Sequence, residues 1–294
     1  PYALTYLTIY IAGTAFALMA TGLNSFLICQ GRSGLGMGTV VLGAGLNIVL
    51  DPIFIFVLDL GVAGAAWATL LSQAASCIFA LLCLRRKSMP VPLHWGRFDW
   101  GACKKVLTFG VSPFLTICSD SVLLIVLNTV LQRFGGPGEG DALLTCTAIV
   151  QSYMLLITMP MGGITLGCQS IVSFNYGAGR PRRVEKALKH ILALCVGFTA
   201  VMLAATWLCA PLFVRLFTQN ADLAARSVTF IKIYTAAVIP LAVQYVIVDQ
   251  STALGQVRLA LFCSLFRKAV FLVATVALPM LLTASAAFWA EPIC

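Results

Sequence analysis

The 294-residue chain is 60% hydrophobic and only 10% charged, with a mean hydropathy of +0.97. A soluble globular domain carries about 25% charged residues, so a water-soluble fold is excluded. Nineteen Lys and Arg against ten Asp and Glu leave a formal charge of +9, and the meaning of that excess depends on where the charges fall along the chain.

A membrane-crossing helix needs about 20 predominantly apolar residues. By that measure the sequence predicts eight spans, at roughly 2–28, 38–58, 61–84, 104–132, 142–172, 187–213, 224–254 and 259–283, with a ninth beginning at Ala287-Phe288-Trp289-Ala290. Several exceed the bilayer thickness, so tilt or kinks at Pro113, Pro160 and Pro240 are expected to absorb the excess. No basic-then-apolar leader precedes the first span, so no signal segment is expected.

Cytoplasmic loops carry the Lys and Arg excess. When the loops are numbered alternately, one set holds Arg32; Arg85, Arg86, Lys87, Arg97, Lys104 and Lys105; Arg180, Arg182, Arg183, Lys186 and Lys189; and Arg258, Arg267 and Lys268. That is 15 of the 19 basic residues. The opposite set has Arg133, Arg215, Arg226 and Lys232, so the first helix is expected to run from outside to inside. The longest polar connection starts at Arg85 and carries Pro90, Pro92, His94, Trp95 and Trp100. It reads as a cytoplasmic linker over 85–103, between helices over 1–84 and a second bundle over 104–294, its aromatic and basic residues suited to the lipid interface.

Eleven cysteines lie mostly within apolar runs, with no C-x-x-C pair, while His94 and His190 stand alone. They read as small packing residues, and neither a metal site nor a cofactor is expected. Two glycine-rich loops, at 31–38 and 177–183, lack the Gly-Lys-Ser/Thr ending of a phosphate-binding loop. No ATPase function or ATPase subunit is implied, and the basic charge, placed at membrane loops, implies no nucleic-acid partner. Gly31-Arg32 and Gly255-Gln256-Val257-Arg258 each punctuate the end of a long helix, a faint internal repeat of the kind secondary transporters carry. Its spacing suggests that roughly three helices of a first half are missing from the chain.

Three of the ten acids fall inside the spans: Asp51, Asp120 and Asp249. An acid at mid-membrane costs about 2.5–3.5 kcal/mol on insertion scales and marks a candidate functional site. Asn47 and Asp51, at i,i+4, share a helix face and could hold a proton or small cation; the competing reading is an interfacial Asp with Pro52 marking the helix exit. Asp120 lies midway along its span, with Asn128 on nearly the same face, and would otherwise be satisfied by a neighbouring helix. Asp249 lies near a cytoplasmic end, where a solvated terminus accounts for it equally well.

Leu46-Asn47-Ile48-Val49-Leu50-Asp51-Pro52-Ile53-Phe54, followed by Gly61-Val-Ala-Gly-Ala-Ala-Trp-Ala-Thr69-Leu-Leu-Ser-Gln73, resembles the fifth-to-sixth helix signature of the MATE family, the multidrug and toxic compound extrusion transporters. Pro160-x-x-Gly163-x-x-x-Gly167-x-Gln169, running into Asn175-Tyr-Gly-Ala178, is similar to that family's eighth-helix signature. The resemblance implies an all-α integral membrane fold, part of a twelve-helix, two-lobed polytopic bundle, with this chain carrying helices four to eleven and the start of twelve. It implies secondary active efflux of amphipathic or cationic small molecules across the plasma membrane in antiport with protons or sodium, not an enzymatic reaction. By the same resemblance Tyr6, Asn47, Asp51 and Thr69 form the amino-lobe cation site, and Asp120 stands where the family's seventh-helix acid stands, with Asn128 as a further candidate in that lobe. Ile28 and Ser170 depart from the family's usual arginine and proline at those positions.

A flippase for lipid-linked sugars, of related two-lobed fold, is the alternative. Its cavity would be rich in Arg and Lys for phosphate groups, and only Lys232 is assigned to a span. A membrane-embedded enzyme would need clustered His and acids inside the bilayer, and neither histidine is expected there.

Overall fold

The computed structural model describes residues 2–94, 96 and 98–294; Pro1 and the linker residues Trp95 and Arg97 lie outside the described residues. The helices are α1 (Tyr2–Cys29), α2 (Ser33–Pro52), α3 (Gly61–Leu84), α4 (Trp100–Gly135), α5 (Glu139–Gly177), α6 (Pro181–Arg215), α7 (Ala221–Tyr234), α8 (Val238–Ala253), α9 (Val257–Leu281) and the short α10 (Ala290–Ile293). A π-helical turn, Ile53–Val57, extends α2, and a 3-10 turn, Ala284–Trp289, precedes α10. No strand occurs among the described residues. Among the described residues seven helices are long and apolar enough to cross a membrane, and up to eight crossings result when the bent pair α7 and α8 counts as one.

The expected spans are all present, with corrected ends. α2 starts at Ser33 rather than near 38, directly after the Gly31-Arg32 turn, because its Ser and Gly residues lower the hydropathy without stopping the helix. α4 starts at Trp100 rather than 104, since the Asp99 carboxylate caps it by accepting from Gly101 N–H at 2.8 Å. Of the three prolines expected to kink helices, Pro113 and Pro160 lie within continuous helices. The span around Pro240 divides: α7 and α8 meet at a 50° bend. Pro240 is the third residue of α8, where its missing N–H costs nothing, whereas a continuous helix would put its ring against the Ala236 carbonyl.

The assignment of Arg267 and Lys268 to the loop set does not hold. Both lie midway along the 25-residue α9, inside the span predicted over 259–283. The loop-flanking set is thereby reduced to 13 of the 19 basic residues, still the larger share. The repeat at Gly31 and Gly255 has a common geometry. Gly31 has φ +74° and Gly255 φ +77°, and in each turn the following N–H reaches back five residues, Arg32 to Leu27 O at 3.0 Å and Gln256 to Ser251 O at 2.8 Å. This is the glycine-closed helix end that only a residue without Cβ adopts without strain.

The chain divides into two compact units, Pro1–Phe98 and Asp99–Cys294. The first has a small core of Leu27, Ala80, Cys83, Leu84 and Met89 and otherwise packs through small residues. A Cβ at Gly13 would meet Leu70 at 2.8 Å, and one at Gly43 would collide with Ser76 Oγ, so the backbones approach closely there, as small residues permit in membrane helices. The second unit has an extended apolar core in which Phe230 and Phe288 stack at 4.0 Å and Tyr153 donates to Thr206 Oγ1 at 3.0 Å across α5 and α6. All eleven cysteines are free thiols.

Candidate functional site

In the first unit, α2 and α3 bring together three of the four residues expected there. Asn47 Nδ2 donates to Asp51 Oδ1 at 3.2 Å and lies 3.5 Å from Thr69 Oγ1, while the Thr69 hydroxyl donates to Ala65 O at 2.9 Å. The i,i+4 spacing produces the first contact, and the lie of α3 against α2 the second. Pro52 does not mark the helix exit. It is itself helical, and the chain continues through Ile53–Val57, whose wider turn closes with Leu58 N–H to Ile53 O at 2.9 Å. Asp51 is therefore followed by more than a turn of helix. Tyr6 is half-buried and stacks on Tyr10 at 5.9 Å; among the described residues no hydrogen bond joins it to the other three.

Asn47 and Thr69 also border a cavity of about 420 Å³ that includes Thr21, Asn24, Thr39 and Gln73. None of its lining side chains is charged, and Asn24 Oδ1 is buried there without a hydrogen-bond partner among the described residues. The cavity carries no fixed charge and sets a few hydroxyl and amide groups in a largely apolar lining, with the Asp51 carboxylate one helical turn from its Asn47 wall.

In the second unit Asp120 is not solitary. Its Oδ1 pairs with Lys268 Nζ at 2.8 Å, and the same ammonium donates to the Thr116 carbonyl one turn earlier on α4. Lys268 is only 5% exposed, whereas the Asp120 side chain is 58% exposed. Next to it, Arg267 pairs with Glu291 at 3.2 Å, both largely buried. Two cavities, of about 340 and about 100 Å³, share Asp120, Tyr245 and Arg267 in their walls. The larger reaches Glu291 and the smaller reaches Lys268 and Asp249.

Asp249 is not a solvated terminus. Thr165 Oγ1 donates to its carboxylate at 2.5 Å, and Gln169 Nε2 donates to its backbone carbonyl at 3.1 Å. Gln250 Nε2 returns the contact to Thr165 O at 2.9 Å. α5 and α8 are thus clamped by two reciprocal amide contacts, one of them from Gln169 of the eighth-helix signature. Asn128 is half-buried on α4 and lines neither of these cavities.

The two cavities together are bordered by three carboxylates, Asp120, Asp249 and Glu291, and two cations, Arg267 and Lys268. The cations, Glu291 and Tyr245 were missed in the sequence. The available signal was an adjacent Arg and Lys in the middle of an otherwise apolar helix, a placement that demands buried partners.

The MatE family model matches residues 114–280, more than half of the chain. The multidrug export protein MepA of Staphylococcus aureus (strain MSSA476) is 23% identical over 269 residues, covering 91% of this chain and 58% of its own length. The probable multidrug resistance protein YpnP of Bacillus subtilis (strain 168) is 25% identical over 233 residues, covering 79% of this chain and 51% of its own. The chain therefore spans only a little over half the length of these curated relatives. An outward-facing multidrug resistance MATE family transporter of the MOP superfamily superimposes with a TM-score of 0.90 at 23% identity, over 99% of this chain and 65% of that one. A MOP superfamily transporter from Pyrococcus furiosus Vc1, whose binding pocket of reverse polarity suggests a different function for it, gives 0.87 at 24% identity over 98% and 65%. At such identities the structural likeness carries the polytopic helical fold, and the family match carries the membership: the chain belongs to the MatE family of membrane transporters.

Proposed function

We propose that this chain serves secondary active efflux of amphipathic or cationic small molecules across the plasma membrane, in antiport with protons or sodium by alternating access. The two compact units would then be parts of an amino lobe, over 1–84, and a carboxy lobe, over 104–294, joined by the 85–103 linker. The observation that carries the proposal is the Asn47–Asp51–Thr69 cluster at the edge of an uncharged, largely apolar cavity.

The chemistry follows from that contact. An amide hydrogen bond to an ionised carboxylate is worth about 1.5–3 kcal/mol, against about 0.5–1.5 kcal/mol for a neutral acceptor. Loading a proton or sodium ion onto Asp51 neutralises the acceptor and weakens its hold on the Asn47 amide, which borders the cavity. The coupling ion thereby frees the Asn47 amide at the cavity wall, and it biases the conformational balance only by its difference in affinity for the two states. Tyr6 joins this site by family resemblance. Asp120, exposed to the second unit's cavities, is the proposed contact for a cationic substrate, with Asn128 further along the same helix.

The names of MepA and YpnP support drug export, and the flippase alternative gains the two intramembrane cations that the sequence had hidden. Those cations are outnumbered by three carboxylates in the same cavities, which disfavours a pyrophosphate headgroup. Asp51→Asn in the full-length protein should abolish gradient-driven efflux of ethidium from vesicles while leaving the amount of protein in the membrane unchanged. Retained efflux in that variant refutes the coupling role. The same assay under a pH gradient and then a sodium gradient identifies the ion.

A further inference from the structure

We infer that Lys268 is a tethered internal cation that occupies Asp120 when no substrate is present, so that a cationic compound engages Asp120 only by displacing the ammonium. The inference rests on Asp120 being the substrate-facing acid proposed above and adds a residue that sets the affinity and charge selectivity of that site.

Three observations carry it. The pair is direct, at 2.8 Å, and Lys268 is anchored on α9 with a second acceptor in the Thr116 carbonyl. Exposure is strongly asymmetric: the carboxylate is 58% exposed and borders both cavities, while the ammonium is 5% exposed and borders only the smaller one. A soluble cation entering the larger cavity therefore meets the Asp120 carboxylate with Lys268 behind it. Finally, a displaced ammonium has somewhere to go. Asp249 borders the same small cavity as Lys268 and is held by the Thr165 hydroxyl, with no cationic partner among the described residues. Arg267, the other cation in these walls, is engaged by Glu291. One ammonium thus shares a cavity with two carboxylates, and releasing Asp120 to a substrate need not leave it buried without an anion nearby.

A competitor built into the site lowers affinity for cations and leaves neutral ligands alone. The test measures ethidium and the neutral dye Nile red binding to the detergent-solubilised full-length protein by fluorescence. Lys268→Gln keeps a hydrogen-bond-donating side chain but removes the charge. It should bind ethidium roughly tenfold more tightly, equivalent to about 1.4 kcal/mol, with Nile red unchanged. Lys268→Arg, which retains the charge, should give a smaller gain. In an Asp120→Asn background, Lys268→Gln should give no gain. If Asp120→Asn weakens ethidium binding but Lys268→Gln leaves it unchanged or weaker, the internal-cation proposal is overturned and Asp120 keeps its substrate role. If Asp120→Asn has no effect on ethidium binding, the substrate role itself fails. An equal gain for ethidium and Nile red in Lys268→Gln would mean a change of cavity shape rather than of charge, and also overturns the proposal.

Discussion

Asn47 lies between two partners at different distances, and the difference predicts which neighbour matters. Its amide donates to Asp51 Oδ1 at 3.2 Å, at the long end of the N–H···O range, and lies 3.5 Å from Thr69 Oγ1, beyond that range. A charge-assisted bond of that length belongs at the lower end of about 1.5–3 kcal/mol. The Thr69 contact, outside that range, contributes less than about 0.5 kcal/mol, the bottom of the range for ordinary hydrogen bonds. Asn47→Ala, which removes the donor without burdening the helix because alanine is the best helix former, should slow ion-driven ethidium efflux by about tenfold at a fixed gradient. Thr69→Val, which keeps the shape and removes the oxygen, should slow it by less than about twofold. Both variants are measured in the full-length protein reconstituted into vesicles, with rates normalised to protein content. Equal losses in the two variants would refute the distance-based ranking and make Thr69 a direct ligand of the coupling ion.

Two further outcomes test the scaffold. Arg267 and Glu291 form an ion pair with side chains 16% and 14% exposed, so Arg267→Met alone should destabilise by about 3–5 kcal/mol, and adding Glu291→Leu should restore most of it; thermal unfolding in detergent reads the difference, and a double variant no better than the single one contradicts the pairing. Gly31→Ala and Gly255→Ala meet open space but force a side chain into positive φ, so each should cost about 1–2 kcal/mol. Gly45→Ala, helical and equally uncrowded, should instead stabilise by about 0.5–1 kcal/mol.

The crossings were legible because a bilayer imposes one length and one polarity on each helix. The break before Pro240 was foreseen as a kink, but nothing in the sequence distinguished it from Pro113 and Pro160, which stay within helices. That choice depends on whether neighbouring elements accommodate the missing N–H. The Asn47–Asp51 pair could be read from periodicity because both residues lie on one helix. The contact with Thr69 needed the lie of α3 against α2, and only the family resemblance pointed to it. Lys268 and Asp120 are far apart in sequence, and charge counting by loops concealed the pair by treating Lys268 as a loop residue. The carboxylate of Asp249 looked like a helix end because its partner, Thr165, is an ordinary hydroxyl residue on another helix.

The close approaches in the first unit set an unusual rule for which substitutions the chain tolerates. Gly13, Gly36, Gly43 and Gly64 would each bring an added methyl into Leu70, Asn24, Ser76 or the Phe54 carbonyl, and α2 buries none of its most apolar stretch within the chain. Lipid tails are as apolar as leucine, so hydropathy hardly matters there and volume is what selection can see. At Gly13, Gly36, Gly43 and Gly64 the harmful error is enlargement, even by the step from glycine to alanine that a hydropathy scale scores as harmless, whereas uncrowded Gly45 tolerates it. In the second unit, where Phe230, Phe288 and their neighbours fill a broad interior, the harmful error is shrinkage. A saturation mutational scan would therefore carry two opposite size signatures, loss on enlargement at the crowded glycines of the first unit and loss on truncation at the large core residues of the second.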